Sequence, residues 1–76
     1  MAEIVVDSKI MHGKPVIKGT RVPVDVILGS LIGGMTYEEI EKEYDVKKDG
    51  IIAAIEYAAQ FVIGEEVYPF KIKAKK

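Results

Sequence analysis

Residues 35–63, MTYEEIEKEYDVKKDGIIAAIEYAAQFVI, decide the fold. Thr36 is a good N-cap residue and Glu39 stands three positions on, so each side chain can satisfy a backbone N–H left unpaired by the first helical turn. Met35 before the cap and Ile40 after it have the spacing of a hydrophobic staple. Ile40 and Tyr44 share one helical face, while Glu38, Glu41, Lys42 and Glu43 fall mainly on the wet side. The helix is predicted to stop near Asp45, because aspartate tolerates a left-handed backbone better than most residues. A second apolar period begins at Ile51. Two helices joined by so short a turn must cross steeply, so 36–63 reads as a helix-turn-helix.

The last helix, expected over 48–63, is apolar around most of its circumference. Ile51, Ile55, Ala58 and Val62 form one stripe, with Ala54 and Phe61 beside it. Ile52, Ala59 and Ile63 form another, interrupted only by Glu56 and Gln60. Such a helix must be buried on most of its surface, and a three-helix chain of this length covers one side only. The pattern predicts a homodimer with Ile52, Ile55, Ala59 and Ile63 at its interface. Coverage by the C-terminal tail is the alternative.

Length and composition agree with that expectation. A chain of 76 residues makes one small domain, which buries only about 60% of the surface its unfolded chain exposes. There is no cysteine to staple the fold and a single histidine, which argues against disulfides and structural zinc and fits a cytoplasmic setting. Oligomerisation is the usual remaining device for a small apolar domain. No apolar run approaches the roughly 18 residues of a membrane helix, and no signal-peptide pattern opens the chain. A formal charge of −1 gives no global attraction to nucleic acid, so any basic patch is local.

Upstream, residues 1–22 read as a strand and loop arm. Glu-Ile-Val-Val-Asp at 3–7 is β-branched and bounded by charge, hence a short strand. His12-Gly13 is the expected turn, and Val16-Ile17-Lys18 a second extended piece ended by Gly19. Two short strands alone are barely stable, which pairing with a second subunit would remedy. Pro23 suits the first position of a helix, Asp25 its first turn, and Gly33-Gly34 a left-handed stop. Val24, Ile27, Leu28, Leu31 and Ile32 follow helical spacing. Gly29 is the oddity, since a mid-helix glycine costs about 1 kcal/mol against alanine. Close helix packing is the expected reason, a hinge or ligand approach the alternative. The core is therefore placed at 23–63. After it, 64–76 carries an aromatic segment around Pro69, expected across the surface or on a partner, and a lysine-rich end expected to be solvated.

The chain offers no catalytic constellation and calls for no cofactor or metal. There is no HExxH, no phosphate-cradling glycine loop with its lysine and no cysteine nucleophile. His12 has no carboxylate at informative spacing. A non-enzyme is expected.

Gly13-Lys14-Pro15-Val16-Ile17-Lys18-Gly19-Thr20-Arg21-Val22-Pro23-Val24 resembles the signature of the family called domain of unknown function 433. Gly34-Met35-Thr36-Tyr37-Glu38-Glu39-Ile40 and Ile51-Ile52-Ala53-Ala54-Ile55-Glu56-Tyr57-Ala58 are similar to its later blocks. The resemblance implies a helix-turn-helix protein like the VapB-type antitoxins, partnered with a PIN-like ribonuclease toxin and bound to its own promoter DNA. In physical terms, Gly19 supplies a backbone conformation closed to other residues, and Pro15 and Pro23 stiffen the ends of the segment. Thr20 is expected to bond local backbone and Arg21 to pair with a carboxylate, or else to face phosphate or a partner. The family often places Ser or Thr where Lys47 stands, and lysine cannot accept the N-cap bonds.

As a reader of DNA the motif is modest. Tyr37, Lys47, Lys48 and Arg21 are the candidate DNA-binding residues. Two lysines per subunit make at most a handful of phosphate contacts in a dimer, and the acids of the preceding helix repel the backbone. The sequence therefore predicts a mainly α fold: a small three-helix domain with a homeodomain-like helix-turn-helix and a short N-terminal strand or hairpin. Its function is read as a DNA-binding antitoxin of a toxin–antitoxin pair, or alternatively as a homodimeric protein-interaction module without specific DNA binding.

Overall fold

Two left-handed residues, Gly34 (φ 96°) and Asp45 (φ 56°), divide the helical part of the chain into three helices. These are α1 (Val24–Ile32), α2 (Tyr37–Tyr44) and α3 (Lys48–Ile63), preceded by strands β1 (Ile4–Val5) and β2 (Val16–Ile17). The structure, a computed structural model, describes residues 2–63. The aromatic segment and the lysine-rich end expected after Gly64 lie outside the described residues.

Both helix stops have the same chemistry. After α1, Gly34 N–H donates to the Leu31 carbonyl and Met35 N–H reaches back to Ser30, each at 3.0 Å. After α2, Val46 N–H reaches the Glu41 carbonyl at 3.3 Å. These six-to-one bonds are Schellman stops, and each is followed by an apolar residue that returns to the core. Val46 is buried with Ile40, and Met35 packs against the same cluster. The left-handed stop expected of Gly33-Gly34 thus falls on Gly34 alone, since Gly33 remains right-handed at φ −76°. At the start of α2 the capping box is complete: Glu39 N–H donates to Thr36 Oγ1 at 3.1 Å, and Thr36 N–H to Glu39 Oε1 at 2.8 Å.

The N-terminal arm differs from expectation in two ways. β1 is shorter than 3–7, and it pairs antiparallel within the chain, Ile4 with Ile17 and Val5 with Val16. A second subunit is not needed for this pairing, because the turn Met11–Gly13 reverses the chain through three consecutive positive φ angles, 50°, 58° and 83°. Pro23 precedes α1 as its extended N-cap residue (φ −72°, ψ 151°) instead of opening the helix. The cause is a bridge that holds Pro23 against Val16, while the Pro23 carbonyl accepts from Val26 N–H at 3.2 Å.

The core is formed where these pieces meet on α3. Ile17, Val24, Ile27, Ile40, Val46, Ile51 and Ala54 make one buried cluster, with a contribution from β2 and from every helix. Gly50 allows this approach: a Cβ there would meet Ile17 side-chain carbons at 3.3 and 3.4 Å. Gly29, expected to mark close packing, has nothing within 4 Å of its would-be Cβ and faces solvent. Its neighbour Ser30 makes the link to α2, with its hydroxyl bonded to the Val26 carbonyl at 2.8 Å and 3.3 Å from the Tyr44 hydroxyl.

The two glycines Gly29 and Gly34 therefore respond oppositely to alanine. Gly29→Ala is expected to stabilise by about 1 kcal/mol through helix propensity alone. Gly34→Ala is expected to destabilise by a similar amount because its positive φ is closed to a Cβ. For a chain of this size about 1 kcal/mol moves the melting temperature by about 4–8 °C, which calorimetry resolves with its sign.

Candidate functional site

The signature segment is a hairpin that closes on itself. Thr20 Oγ1 donates to the Ile17 carbonyl at 2.7 Å and accepts from Val22 N–H at 3.0 Å. Ile17 N–H in turn donates to the Val22 carbonyl at 3.1 Å. Gly19 occupies the left-handed position of this loop, φ 83°. Gly13 ends the preceding reversal with the same φ of 83°. Pro15 supplies the carbonyl that takes Val24 N–H at 2.9 Å, fastening the hairpin to the start of α1. Lys14 Nζ lies 3.0 Å from Asp25 Oδ2, an exposed ion pair. Such a pair contributes little energy and mainly orients both side chains. Thr20 therefore bonds local backbone as expected. The carboxylate expected beside Arg21 is absent among the described residues: the side chain is exposed, in a cleft with Ile10, Gly19 and Thr20. Five of the motif's seven singled-out residues, namely Gly13, Pro15, Gly19, Thr20 and Pro23, thus have a role in shaping the hairpin, while Lys14 makes only the exposed pair with Asp25. Arg21 projects from it.

At the turn between α2 and α3, two of the candidate DNA contacts meet. The Lys48 ammonium sits 5.7 Å from the centre of the Tyr37 ring, a cation–π contact of about 0.5–1 kcal/mol at an exposed site. It joins the first turns of both helices. Lys47 lies in a cleft shared with Lys18, Thr20, Asp45 and Asp49. Asp45 and Asp49 flank the two lysines and offset their charge, so the turn presents no strong positive patch. Arg21 is on the far side of Thr20 and does not join this group. The Lys47 carbonyl accepts the first bonds of α3, from Gly50 N–H at 2.9 Å and Ile51 N–H at 3.3 Å.

The outer faces of α3 form a third feature. At about 100° per residue, Ile52, Ala59 and Ile63 align on one side, roughly opposite Tyr57, Ala58 and Phe61. Ile52 and Ile63 are 37% and 46% exposed, and Phe61 and Val62 are 73% and 86% exposed. Ile55, expected at the same interface, leans instead onto the chain's own core. On the opposite side Tyr57 and Phe61 pack edge to face, centroids 5.2 Å apart. They help line an apolar cleft of about 220 Å³ with Pro15, Val24, Leu28 and Ala58, and with Asp25 at its rim. Sequence reasoning missed this cleft, because it depends on α1 meeting α3. Among the described residues no group of His, Asp and Glu side chains converges to hold a metal ion, and no helix is long and apolar enough to cross a membrane.

The family described as "Protein of unknown function (DUF433)" matches residues 4–58, which takes in the hairpin and most of the three helices. An uncharacterised protein of Archaeoglobus fulgidus is 76% identical over 25 residues, which is 33% of this chain and 69% of that protein. Among solved structures, the X-ray crystal structure of Rv2018 from Mycobacterium tuberculosis is similar, with a TM-score of 0.63 and 33% identity. The match covers 68% of this chain but only 24% of Rv2018, so the chain spans about a quarter of that protein's length.

The hairpin reading predicts a contrast between adjacent signature residues. Thr20→Val removes the acceptor for Val22 N–H and the donor to Ile17, and is expected to cost about 1–3 kcal/mol. Thr20→Ser restores most of this. Arg21→Ala, which removes no contact within the described chain, is expected to stay within about 0.5 kcal/mol. Urea denaturation of the three variants checks the order.

Proposed function

The chain belongs to the DUF433 family, and we propose that it acts there as an antitoxin-like homodimer, assembled on the outer face of α3 and directed at a PIN-like ribonuclease toxin. The observation that carries the assembly is the accessible apolar row Ile52, Ala59 and Ile63, which faces away from the core that the other elements build on α3. Burying an aliphatic side chain of this size stabilises by roughly 1.5–3 kcal/mol. Pairing two copies of this row gives a small chain a second apolar core. The choice of a PIN-like toxin as partner is supported by the family resemblance of the signature segment.

Promoter DNA binding through a helix-turn-helix is the second reading. Its support is the meeting of Tyr37 and Lys48 at the first turns of α2 and α3, with Lys47 exposed beside them. Asp45 and Asp49 weigh against strong phosphate binding at the same turn. A dimer would present Lys47 and Lys48 twice, and Arg21 would add a contact only if DNA reached past Thr20.

Two experiments separate these readings. Co-expression of the full chain with an adjacently encoded PIN-like protein is expected to yield a complex, and failure to recover one contradicts the toxin-directed reading. For DNA, fluorescence anisotropy on the chain's own upstream sequence is expected to show affinity that falls with salt. In the Lys47→Ala plus Lys48→Ala variant the slope of log K against log salt should flatten by roughly 3–4 for the dimer. An unchanged slope removes these lysines from the DNA reading.

A further inference from the structure

Arg21 is the charged residue of the signature hairpin that meets no opposite charge among the described residues. Its neighbours Lys14 and Lys18 are turned to Asp25 and Glu3, at 3.0 and 3.4 Å. We propose that Arg21 anchors a carboxylate side chain of a partner protein, received in the cleft that Arg21 lines with Ile10, Gly19 and Thr20.

Three observations carry this assignment. The first is a fixed backbone. Thr20 Oγ1 bonds the Ile17 carbonyl and Val22 N–H, and Ile17 N–H closes the loop onto the Val22 carbonyl at 3.1 Å. The guanidinium therefore leaves a main chain that is already ordered, and binding costs only the freedom of its own side chain. The second is the donor set. Gly19 N–H and Arg21 N–H stand on either side of Thr20 and donate to no acceptor among the described residues. A Cβ at Gly19 would meet nothing within 4 Å, so the main chain there is open to approach. Free main-chain N–H groups in a turn favour an anion, and the planar fork of the guanidinium matches a carboxylate through two parallel bonds. The third is the sign of the surroundings. No acid lines this cleft of about 490 Å³. The Asp7 carboxylate of the same arm accepts Lys9 N–H at 2.8 Å. Ile10 adds an apolar wall, held between its own N–H bond to the Asp7 carbonyl at 2.8 Å and the Gly13 N–H bond to its carbonyl at 3.0 Å.

These features favour a protein carboxylate over a nucleic-acid phosphate. Strong duplex binding takes a run of cations, whereas the neighbouring cleft across Thr20 sets Asp45 and Asp49 beside Lys18 and Lys47. One cation with an aliphatic wall suits a single Asp or Glu and its stem. None of the lining residues belongs to α3, so the site stands apart from the Ile52, Ala59 and Ile63 row. It requires neither the homodimer nor a PIN-like partner.

The test is a magnetic-resonance titration of the isotope-labelled full chain with short poly-L-glutamate, against sodium chloride at matched ionic strength. Saturable shifts are expected at the Gly19 and Arg21 amides, the Arg21 Nε–H and the Ile10 methyls. Arg21→Gln is expected to raise the dissociation constant about tenfold or more. Arg21→Lys should recover less than half of that loss, because an ammonium lacks the fork. Lys47→Ala plus Lys48→Ala should leave binding at these amides unchanged. Shifts confined to lysines, or no shift beyond that of the salt, overturn the proposal from the wild-type chain alone. So does an unaltered constant in folded Arg21→Gln, or full recovery by Arg21→Lys, which reduces the contact to charge. Duplex DNA moving the same amides at lower concentration than poly-L-glutamate would assign the site to phosphate and overturn it as well.

Discussion

Everything described in this chain rests on one face of α3. Ile51 and Ala54 are fully buried there, and each of the other elements reaches the same helix: β2 through Ile17, α1 through Ile27 and α2 through Ile40. Gly50 sets how closely this happens, because its missing side chain lets the first turn of α3 settle onto Ile17. The Schellman stops then fix where α1 and α2 must end, so that Met35 and Val46 fall back onto the same cluster. A core this small, with no cysteine to staple it, has little stability to spare. Deleting a methylene at Ile27, Ile40 or Ile51 removes packing that no second layer replaces.

The parts of this arrangement that were legible in the sequence are those written in local chemistry. Thr36 and Glu39 announce a capping box within four residues, and Asp45 announces a stop by being the residue that tolerates the required φ. The bounds of the last helix followed from an apolar period that is hard to mistake. Glycines were legible only in part. Gly19 and Gly34 could be assigned because turns need positive φ, whereas the reasons for Gly29 and Gly50 depend on what lies across from them. Close packing was expected at Gly29 and is found at Gly50, since helical spacing says which residues share a face but not which face meets a neighbour. The same limit explains the pairing of β1 with β2 inside the chain. That pairing rests on Met11 and His12 taking left-handed conformations that their side chains do not advertise.

The candidate site divides along similar lines. Tyr37 and Lys48 were each legible as residues at a helix start, but their contact is a consequence of how α2 and α3 cross. Among the signature residues, composition singled out Gly, Pro, Thr and Arg together, and only the hydrogen bonds of Thr20 separate the structural members from Arg21. The turn between α2 and α3 carries as many acids as lysines in its immediate surroundings, Asp45 and Asp49 against Lys47 and Lys48. Its electrostatics are therefore balanced, while the outer row of α3 is apolar with no compensating cover among the described residues. That imbalance places the weight of the functional reading on protein contact ahead of nucleic-acid contact.

The claim that the outer row of α3 is an assembly surface is tested most directly by the mass of the unmodified protein in solution. Sedimentation equilibrium at micromolar concentration is predicted to return twice the 8.4 kDa chain mass, with dissociation on dilution. A single species at the chain mass across that range would contradict the account.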